Sequence, residues 1–110
     1  MSILSMDIGG SKILLAKFVE GEIIKRRQEP TDAHLGREHL LSRIEEMIHS
    51  MKEGAEALAV LIPGVVYENS LVVSCGNLPL ENMELKSYLE ERTGLPTILG
   101  NDVSFALYGE

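Results

Sequence analysis

The sequence predicts an α/β domain in which a mixed sheet, an antiparallel three-strand meander extended by parallel strands, is flanked by helices. Three observations lead to this prediction. Apolar runs at residues 3–7, 12–19 and 23–28 are separated by short glycine-containing turns, as in a meander. An amphipathic segment follows at residues 40–51. The continuously apolar run at residues 57–62 is typical of a parallel strand that is buried on both faces.

The first helix is predicted from apolar residues that recur at steps of three and four after a Pro-Thr-Asp break at residues 30–32. These residues are Leu40, Leu41, Ile44, Met47, Ile48 and Met51. They form one apolar stripe that ends before Gly54. Such a stripe has to be removed from water, so we expect this helix to cover the sheet.

The second half of the chain is predicted to continue as a hairpin, a helix, a strand and a further helix. A turn at residues 68–70 would join two short strands. Apolar residues between positions 85 and 89 indicate the helix, with Asn82 as its N-cap and Gly94 as its stop. The last strand is expected at residues 97–99.

Length and composition exclude several classes of protein. A chain of 110 residues with 45% hydrophobic residues fits one globular domain over residues 1–110. It has no apolar run of 18 residues for a membrane span and no signal peptide, so a cytoplasmic protein is expected. The net charge of −7 disfavours non-specific binding to nucleic acid. Cys75 is the only cysteine, so a cysteine-cluster zinc site is excluded within this chain.

The segment after the first strand carries the first candidate for chemistry. Asp7 is followed by Gly9 and Gly10, which accept positive φ and let a ligand approach backbone N–H groups. Ser11 and Lys12 would add a hydroxyl and an ammonium group. The alternative is an ordinary glycine hairpin turn beside an incidental acid.

Asn101 and Asp102, after the last predicted strand, form the second candidate. Asp102 would be a natural N-cap for the helix that follows. Alternatively, its carboxylate lies at the carboxyl end of a parallel strand, where open α/β sheets bind ligands. Gly64 ends the neighbouring parallel strand in the same way, and two such ends side by side would make a pocket floor. Taken alone, the first segment favours the ordinary hairpin turn and the second favours the N-cap.

Five segments, taken in order, resemble the amino-terminal half of the ROK family of sugar kinases and related repressors. They are residues 7–12, similar to the first phosphate motif with Ser in place of the usual Thr; residues 61–66, similar to a Val-Pro-Gly loop; residues 77–80, similar to an Asn-Leu-Pro segment; residues 94–96, similar to the approach to the catalytic strand; and residues 101–110, similar to an Asn-Asp-Ala-Asn stretch and the following helix.

The resemblance implies the actin-like ATPase fold, in which two ribonuclease H-like domains surround a cleft, with this chain as the first domain. It implies an ATP-dependent, glucokinase-like phosphorylation of a hexose or an N-acetylhexosamine, with Asp102 as general base. Asp7 would also orient Mg²⁺ or its waters. Residues similar to those that bind the sugar are Gly64, Asn77, Asn101 and Asp102, and those similar to the ATP-phosphate site are Asp7, Gly9, Gly10, Ser11 and Lys12.

Some parts of the family pattern differ or have no counterpart here. Val103 and Ser104 stand where the family usually has Ala and Asn. The family's Glu-x-Gly-His sugar motif, zinc-binding cysteines, second phosphate loop and adenosine site have no counterpart in these 110 residues. We therefore expect catalysis to need a second, carboxyl-terminal domain, which would also hold any zinc.

The resemblance leaves two other functions open. One is a sugar-sensing transcriptional regulator, since ROK repressors share this domain. Their winged helix-turn-helix precedes the first phosphate motif, which here begins after only six residues, so a repressor is disfavoured. The other is a non-catalytic half-domain that exposes apolar surface and self-associates, for example as a homodimer.

Overall fold

The computed structural model describes residues 1–74, 76 and 78–100. This part of the chain contains a short 3₁₀ helix at Ala33–Leu35 in addition to its strands and α-helices. In chain order, the elements are β1 (Ser2–Ile8), β2 (Lys12–Val19), β3 (Glu22–Pro30), α1 (Arg37–Met51), β4 (Ala57–Leu61), β5 (Val65–Tyr67), β6 (Leu71–Ser74), β7 (Met83–Glu84), α2 (Leu85–Thr93) and β8 (Thr97–Gly100). The helix predicted after β8 lies outside the described residues.

Five strands form the central sheet, in the order β3-β2-β1-β4-β8. β1, β2 and β3 are antiparallel neighbours, whereas β4 pairs in parallel with β1 on one side and with β8 on the other. The predicted mixed sheet, a meander continued by parallel strands, is therefore confirmed. Parallel neighbours require a crossover connection, and α1 and α2 lie in the two connections, between β3 and β4 and between β4 and β8.

Helix α1 packs on one face of this sheet, as its stripe predicts. All six apolar residues of the stripe are buried, and Ile44, Met47 and Ile48 are completely so. They share one core with Leu4 and Met6 of β1. Full burial of one such side chain contributes about 1.5–3 kcal/mol, so packing holds this helix in place. No helix in the described residues is long and apolar enough to cross a membrane.

The hairpin of β5 and β6 turns where the sequence predicts it. Glu68 and Asn69 have φ values of 51° and 60°, the left-handed conformation that suits a tight hairpin turn. The carbonyl of Asn69 accepts a hydrogen bond from the N–H of Leu99 in β8, at 3.0 Å. The hairpin is thereby fixed against the outer strand of the central sheet.

Helix α2 begins later than the sequence predicts, and the assignment of Asn82 as its N-cap was wrong. Asn82 has a φ of 57° in the turn before β7, and α2 starts after Glu84. The reason is that residues 83–84 pair with β6 and form a second, three-stranded sheet. Gly94 ends α2 as predicted, and its N–H donates to the carbonyl of Glu90 at 2.9 Å.

The face of the central sheet opposite α1 and α2 is called the open face here. The prediction that the strand after α1 is buried on both faces is half right. Leu58 and Val60 of β4 are buried in the core, whereas Ala57, Ala59 and Leu61 point to the open face and are partly exposed. β4 is a central strand, paired in parallel with β1 and β8, which accounts for its apolar run. The α-helices α1 and α2, however, both lie on the same face of the sheet, so only that face of β4 is fully buried.

Candidate functional site

Three parallel strands end side by side at one edge of the central sheet. Asp7 of β1 is aligned with Leu61 of β4, and Leu61 is aligned with Gly100 of β8. Just beyond, the N–H of Ile62 donates to the carbonyl of Gly100 at 2.9 Å. Because neighbouring strands lie ~4.8 Å apart, Asp7 and Gly100 are separated by roughly 10 Å. We call Asp7, Leu61 and Gly100 the strand-end row, and it is the kind of edge at which open α/β sheets bind ligands.

The β1–β2 turn (residues 9–12) extends beyond one end of the strand-end row. Gly9 donates its N–H to the carbonyl of Lys12 at 2.9 Å, which closes the turn. A Cβ on Gly9 would lie 3.1 Å from that carbonyl oxygen, so a larger residue would be crowded there. Neither Gly9 nor Gly10 has the positive φ that the sequence suggested. Glycine is therefore favoured at position 9 because a Cβ would be crowded there, and not because of the backbone φ.

The outer side of the β1–β2 turn offers donors and positive charge. Gly10, Ser11 and Lys12 are exposed, and nothing lies within 4 Å of the place that a Cβ on Gly10 would take. The Gly10 N–H has no hydrogen-bond partner among the described residues. An open N–H, a hydroxyl and an ammonium group on a bare turn fit the phosphate groups of a nucleotide.

Asp7 is the acidic side chain closest in sequence to this turn. It is exposed on the open face, one residue before β1 ends. Within the described part of the chain, no three His, Cys, Asp or Glu side chains gather into a metal site. Mg²⁺ is commonly held by one or two carboxylates together with waters and substrate phosphates. The arrangement therefore fits a magnesium ion that arrives with the nucleotide.

The loop after β4 contributes Gly64 beyond the middle of the strand-end row. Its φ of 124° is a backbone conformation that residues with a Cβ rarely adopt. Farther along, Leu78 and Leu80 are buried, and Arg37 of α1 donates to the carbonyls of Pro79 and Glu81 at 2.8 and 2.6 Å. The segment at residues 79–81, which follows the predicted sugar ligand Asn77 in sequence, is thus tied to α1.

Three predicted sugar-side residues, Asn77, Asn101 and Asp102, lie outside the described residues. The chain position of the last two is nevertheless informative, because Asn101 directly follows Gly100. The catalytic assignment of Asp102 stays a prediction. Of the predicted site residues, the structure describes Asp7, the β1–β2 turn and Gly64, all beyond or at the carboxyl ends of parallel strands.

Shifted pKa values in the described residues belong to pairs that fix the scaffold. A hydrogen bond from Arg43, at 2.8 Å, lowers the pKa of Asp32. A hydrogen bond to the carboxylate of Glu45, at 2.6 Å, raises the pKa of Tyr88 and joins α2 to α1. Both pairs attach α1 to its neighbours, and neither lies in the strand-end row.

Sequence reasoning missed three residues that hold the site segments in place. Thr31 donates hydrogen bonds to two carbonyls of the β1–β2 turn. Arg43 donates to the carbonyl of Pro30 and to the carboxylate of Asp32, the two neighbours of Thr31. Arg37 donates to the carbonyls of Pro79 and Glu81. In the sequence, the Pro-Thr-Asp break at residues 30–32 indicated only where a strand ends. No sequence pattern distinguished Thr31 from other loop residues.

The order and pairing of these elements are those of the actin-like ATPase fold. Solved ROK sugar kinases superpose on this chain and share this fold. Within that class of protein, the chain belongs to the ROK family, whose family model matches residues 3–110. The fold and the family predicted from the motifs are both confirmed.

Individual relatives are sugar kinases and a regulator. The N-acetylmannosamine kinase of Shigella flexneri is 34% identical over 113 residues, covering 100% of this chain and 39% of that protein. The ROK family glucokinase of Streptomyces griseus, solved in complex with glucose and AMPPNP, is 27% identical with a TM-score of 0.86, covering 100% of this chain and 36% of that chain. A ROK family transcriptional regulator, a homologue of the Escherichia coli MLC protein, is 26% identical with a TM-score of 0.71, covering 92% of this chain and 28% of that chain. The chain thus spans two fifths or less of these relatives.

Proposed function

We propose that residues 1–110 form the amino-terminal domain of an ATP-dependent sugar kinase that phosphorylates a hexose or an N-acetylhexosamine together with a second domain. The observation that carries the proposal is the strand-end row. In this row, Asp7 precedes the phosphate-compatible turn and lies roughly 10 Å from Gly100, the residue that Asn101 follows in sequence. The kinase activities named for two relatives support the same reaction class.

On the phosphate side, the β1–β2 turn would bind ATP through Gly10, Ser11 and Lys12, while Gly9 keeps the turn tight enough for the phosphates to approach. Asp7 would orient Mg²⁺ or its bound water. The ion would supply positive charge that offsets the charge of the phosphate oxygens. Phosphoryl transfer depends mainly on this kind of positioning and charge compensation.

On the sugar side, Asn77, Asn101 and the loop at Gly64 would orient the sugar hydroxyls. Asp102 would accept the proton of the attacking hydroxyl, the 6-hydroxyl in a hexose. The sugar oxygen then forms a bond to the γ-phosphorus as the bond from that phosphorus to the ADP oxygen breaks. The products are a sugar phosphate, ADP and the proton held by Asp102, which later passes to solvent.

The test is an ADP-release assay with the full-length protein, meaning the product of the complete open reading frame that encodes this chain. The panel contains glucose, mannose, N-acetylglucosamine and N-acetylmannosamine. We expect ADP release that depends on both ATP and a sugar, with the highest kcat/KM for N-acetylmannosamine. ADP release that no sugar accelerates would contradict the kinase proposal.

A sugar-sensing regulator is the second candidate, because a ROK regulator superposes on this chain. Such a protein would use the sugar side of the edge without phosphoryl transfer. The net charge of −7 means that DNA contacts would have to come from another segment. Sugar binding measured by calorimetry without any ADP release would favour this function over a kinase.

The open face supports a proposal about partners. Exposed apolar side chains of three strands lie on it, namely Leu14, Ile23 and Ile98, which are 39–48% exposed. A concavity of about 540 Å³ is lined by Leu14 and Ile23 together with Asp7 and Leu61. Contiguous exposed apolar surface of this kind usually marks a contact with another domain or chain. We infer that a second copy covers this face when the 110-residue chain is studied alone.

We therefore expect the 110-residue chain to behave as a dimer or larger species in light scattering at high concentration. Ile98→Lys, which places a charge on the open face, should shift the population toward monomer. Val73→Lys is a matched control, because Val73 is 40% exposed but belongs to the hairpin sheet. A wild-type chain that stays monomeric at high concentration would contradict the proposed contact.

A further inference from the structure

Thr31 differs from the other buried polar residues in the described part of the chain. It is completely buried, and Thr93 and Thr97 are nearly so. The hydroxyls of Thr93 and Thr97 donate to the carbonyls of Leu89 and Leu95, within their own segments. The Thr31 hydroxyl instead donates across 22 residues to the carbonyl of Gly9, at 2.7 Å. A fully buried hydroxyl is therefore directed at the β1–β2 turn.

Thr31 makes a second hydrogen bond to the same turn. Its backbone N–H donates to the carbonyl of Ser11 at 3.0 Å, so Thr31 contacts two alternate carbonyls of the turn. In a planar trans peptide, the C=O and N–H groups point in opposite directions. Holding the Gly9 carbonyl toward Thr31 consequently directs the Gly10 N–H away from it, and holding the Ser11 carbonyl does the same for the Lys12 N–H. Thr31 is buried, whereas Gly10 is exposed with open space around it, so the Gly10 N–H is directed to the outer side of the turn, where phosphates would bind. The Lys12 N–H lies on the β1 side of β2, where the Lys12 carbonyl accepts from Gly9.

Helix α1 fixes Thr31 from both sides. Arg43 of α1 donates to the carbonyl of Pro30 and, at 2.8 Å, to the carboxylate of Asp32. Asp32 has a φ of 50°, an uncommon conformation for a residue with a Cβ, although aspartate tolerates it better than most. The neighbour of Arg43 in α1, Ile44, is completely buried in the core. The position of Thr31 is thus set by the packed helix.

From these contacts, we propose that Thr31 is a positioning residue for ATP: by holding the Gly9–Gly10 peptide, it orients the Gly10 N–H toward the phosphates without touching them. This inference rests on the proposed kinase function. It concerns the phosphate side only, because the sugar-side segment at residues 79–81 is held separately by Arg37. Loss of the Thr31 hydroxyl should therefore affect ATP binding and leave sugar binding unchanged.

The test compares Thr31→Val, which keeps the shape and removes the hydroxyl, with Thr31→Ser, which keeps the hydroxyl, in the full-length protein. One hydrogen bond of this kind corresponds to about a three- to tenfold change in an equilibrium constant. We expect Thr31→Val to raise the KM for ATP by that factor and to leave the KM for the sugar unchanged. Thr31→Ser should restore the KM for ATP.

The matched control is Thr97→Val, which removes a buried hydroxyl that donates to Leu95 at 2.9 Å, away from the turn. It should leave both KM values unchanged. Equal rises of both KM values in Thr31→Val, or an unchanged KM for ATP, would overturn the proposal. A raised KM for ATP in Thr31→Ser would also overturn it.

Hydrogen exchange separates this proposal from the kinase proposal. In the full-length protein without ligands, Thr31→Val should speed the exchange of the amides of Gly9 and residue 31, whose hydrogen bonds to Lys12 and Ser11 hold the turn, and Thr97→Val should not. If the protein releases no ADP with any sugar but the exchange result holds, the kinase proposal fails while the contact from Thr31 to the turn stands. Unchanged exchange at both amides in Thr31→Val would overturn the role of Thr31 whatever the activity.

Discussion

Replacement of Asp102 by Asn in the full-length protein is expected to lower kcat by roughly 10²–10⁴-fold, the usual contribution of a general base. An amide has the size of the carboxylate but cannot take up the proton of the sugar hydroxyl. Asp102 is only two residues past Gly100, which closes the strand-end row at β8. The KM for ATP should change little, because the β1–β2 turn lies at the other end of that row.

An aspartate with an ordinary pKa of ~3.9 is a weak base at neutral pH. Closure of a second domain over the edge would remove water from the carboxylate and raise its pKa, which would improve it as a base. Glu53→Gln is the matched control, since it also converts a carboxylate to an amide but lies on the exposed segment just after α1. An unchanged kcat in Asp102→Asn, measured by ADP release at saturating sugar and ATP, would show that Asp102 is not the base.

Replacement of Asp7 by Asn is expected to lower activity by roughly 10–100-fold, as is typical when a group that orients a metal ion or its water is lost. The carboxylate is exposed on the open face one residue before β1 ends, so asparagine can be accommodated without repacking the core. The loss should be largest at low Mg²⁺ and partly recovered at high Mg²⁺. The measurement is the dependence of kcat/KM for ATP on the Mg²⁺ concentration.

Ser5→Asn provides the control for Asp7→Asn. Ser5 is in the same strand, two residues earlier, so its side chain points to the same face of the sheet. It should leave the Mg²⁺ dependence unchanged. If Asp7→Asn keeps wild-type activity and wild-type Mg²⁺ dependence, the ion is oriented by other residues.

The parts of the fold that the sequence predicts well are those with a strong local pattern. The six apolar residues from Leu40 to Met51 recur at helical spacing, and all six are buried in α1. The hairpin turn at Glu68 and Asn69 and the end of α2 at Gly94 also follow local turn and capping chemistry. These elements depend on near neighbours in the chain, which the sequence displays directly.

The parts that failed depend on partners far away in the chain. Asn82 looked like an N-cap, but pairing of residues 83–84 with β6 places it in a turn and starts α2 later. The apolar run of β4 predicted burial on both faces, yet which face the helices cover is decided by the crossovers. Local periodicity contains neither kind of information.

The candidate site shows the same division. Motif resemblance indicated Asp7, the β1–β2 turn and Gly64, and the structure describes each at or beyond the end of a parallel strand. The residues that hold these segments, Thr31 and Arg37, act through hydrogen bonds that span 22 and 42 residues of sequence. A single threonine or arginine in a polar stretch carries no periodic signal, so only the folded chain reveals its contacts.

The central claim is that the strand-end row has a phosphate side at β1 and a sugar side at β8. The most direct test is a crystal structure of the full-length protein with a non-hydrolysable ATP analogue and the sugar that it phosphorylates. We expect the phosphates within hydrogen-bond distance of Gly10, Ser11 and Lys12, and the reacting sugar hydroxyl beside Asp102. Phosphates bound away from the β1–β2 turn, or a sugar bound away from the carboxyl end of β8, would contradict the account.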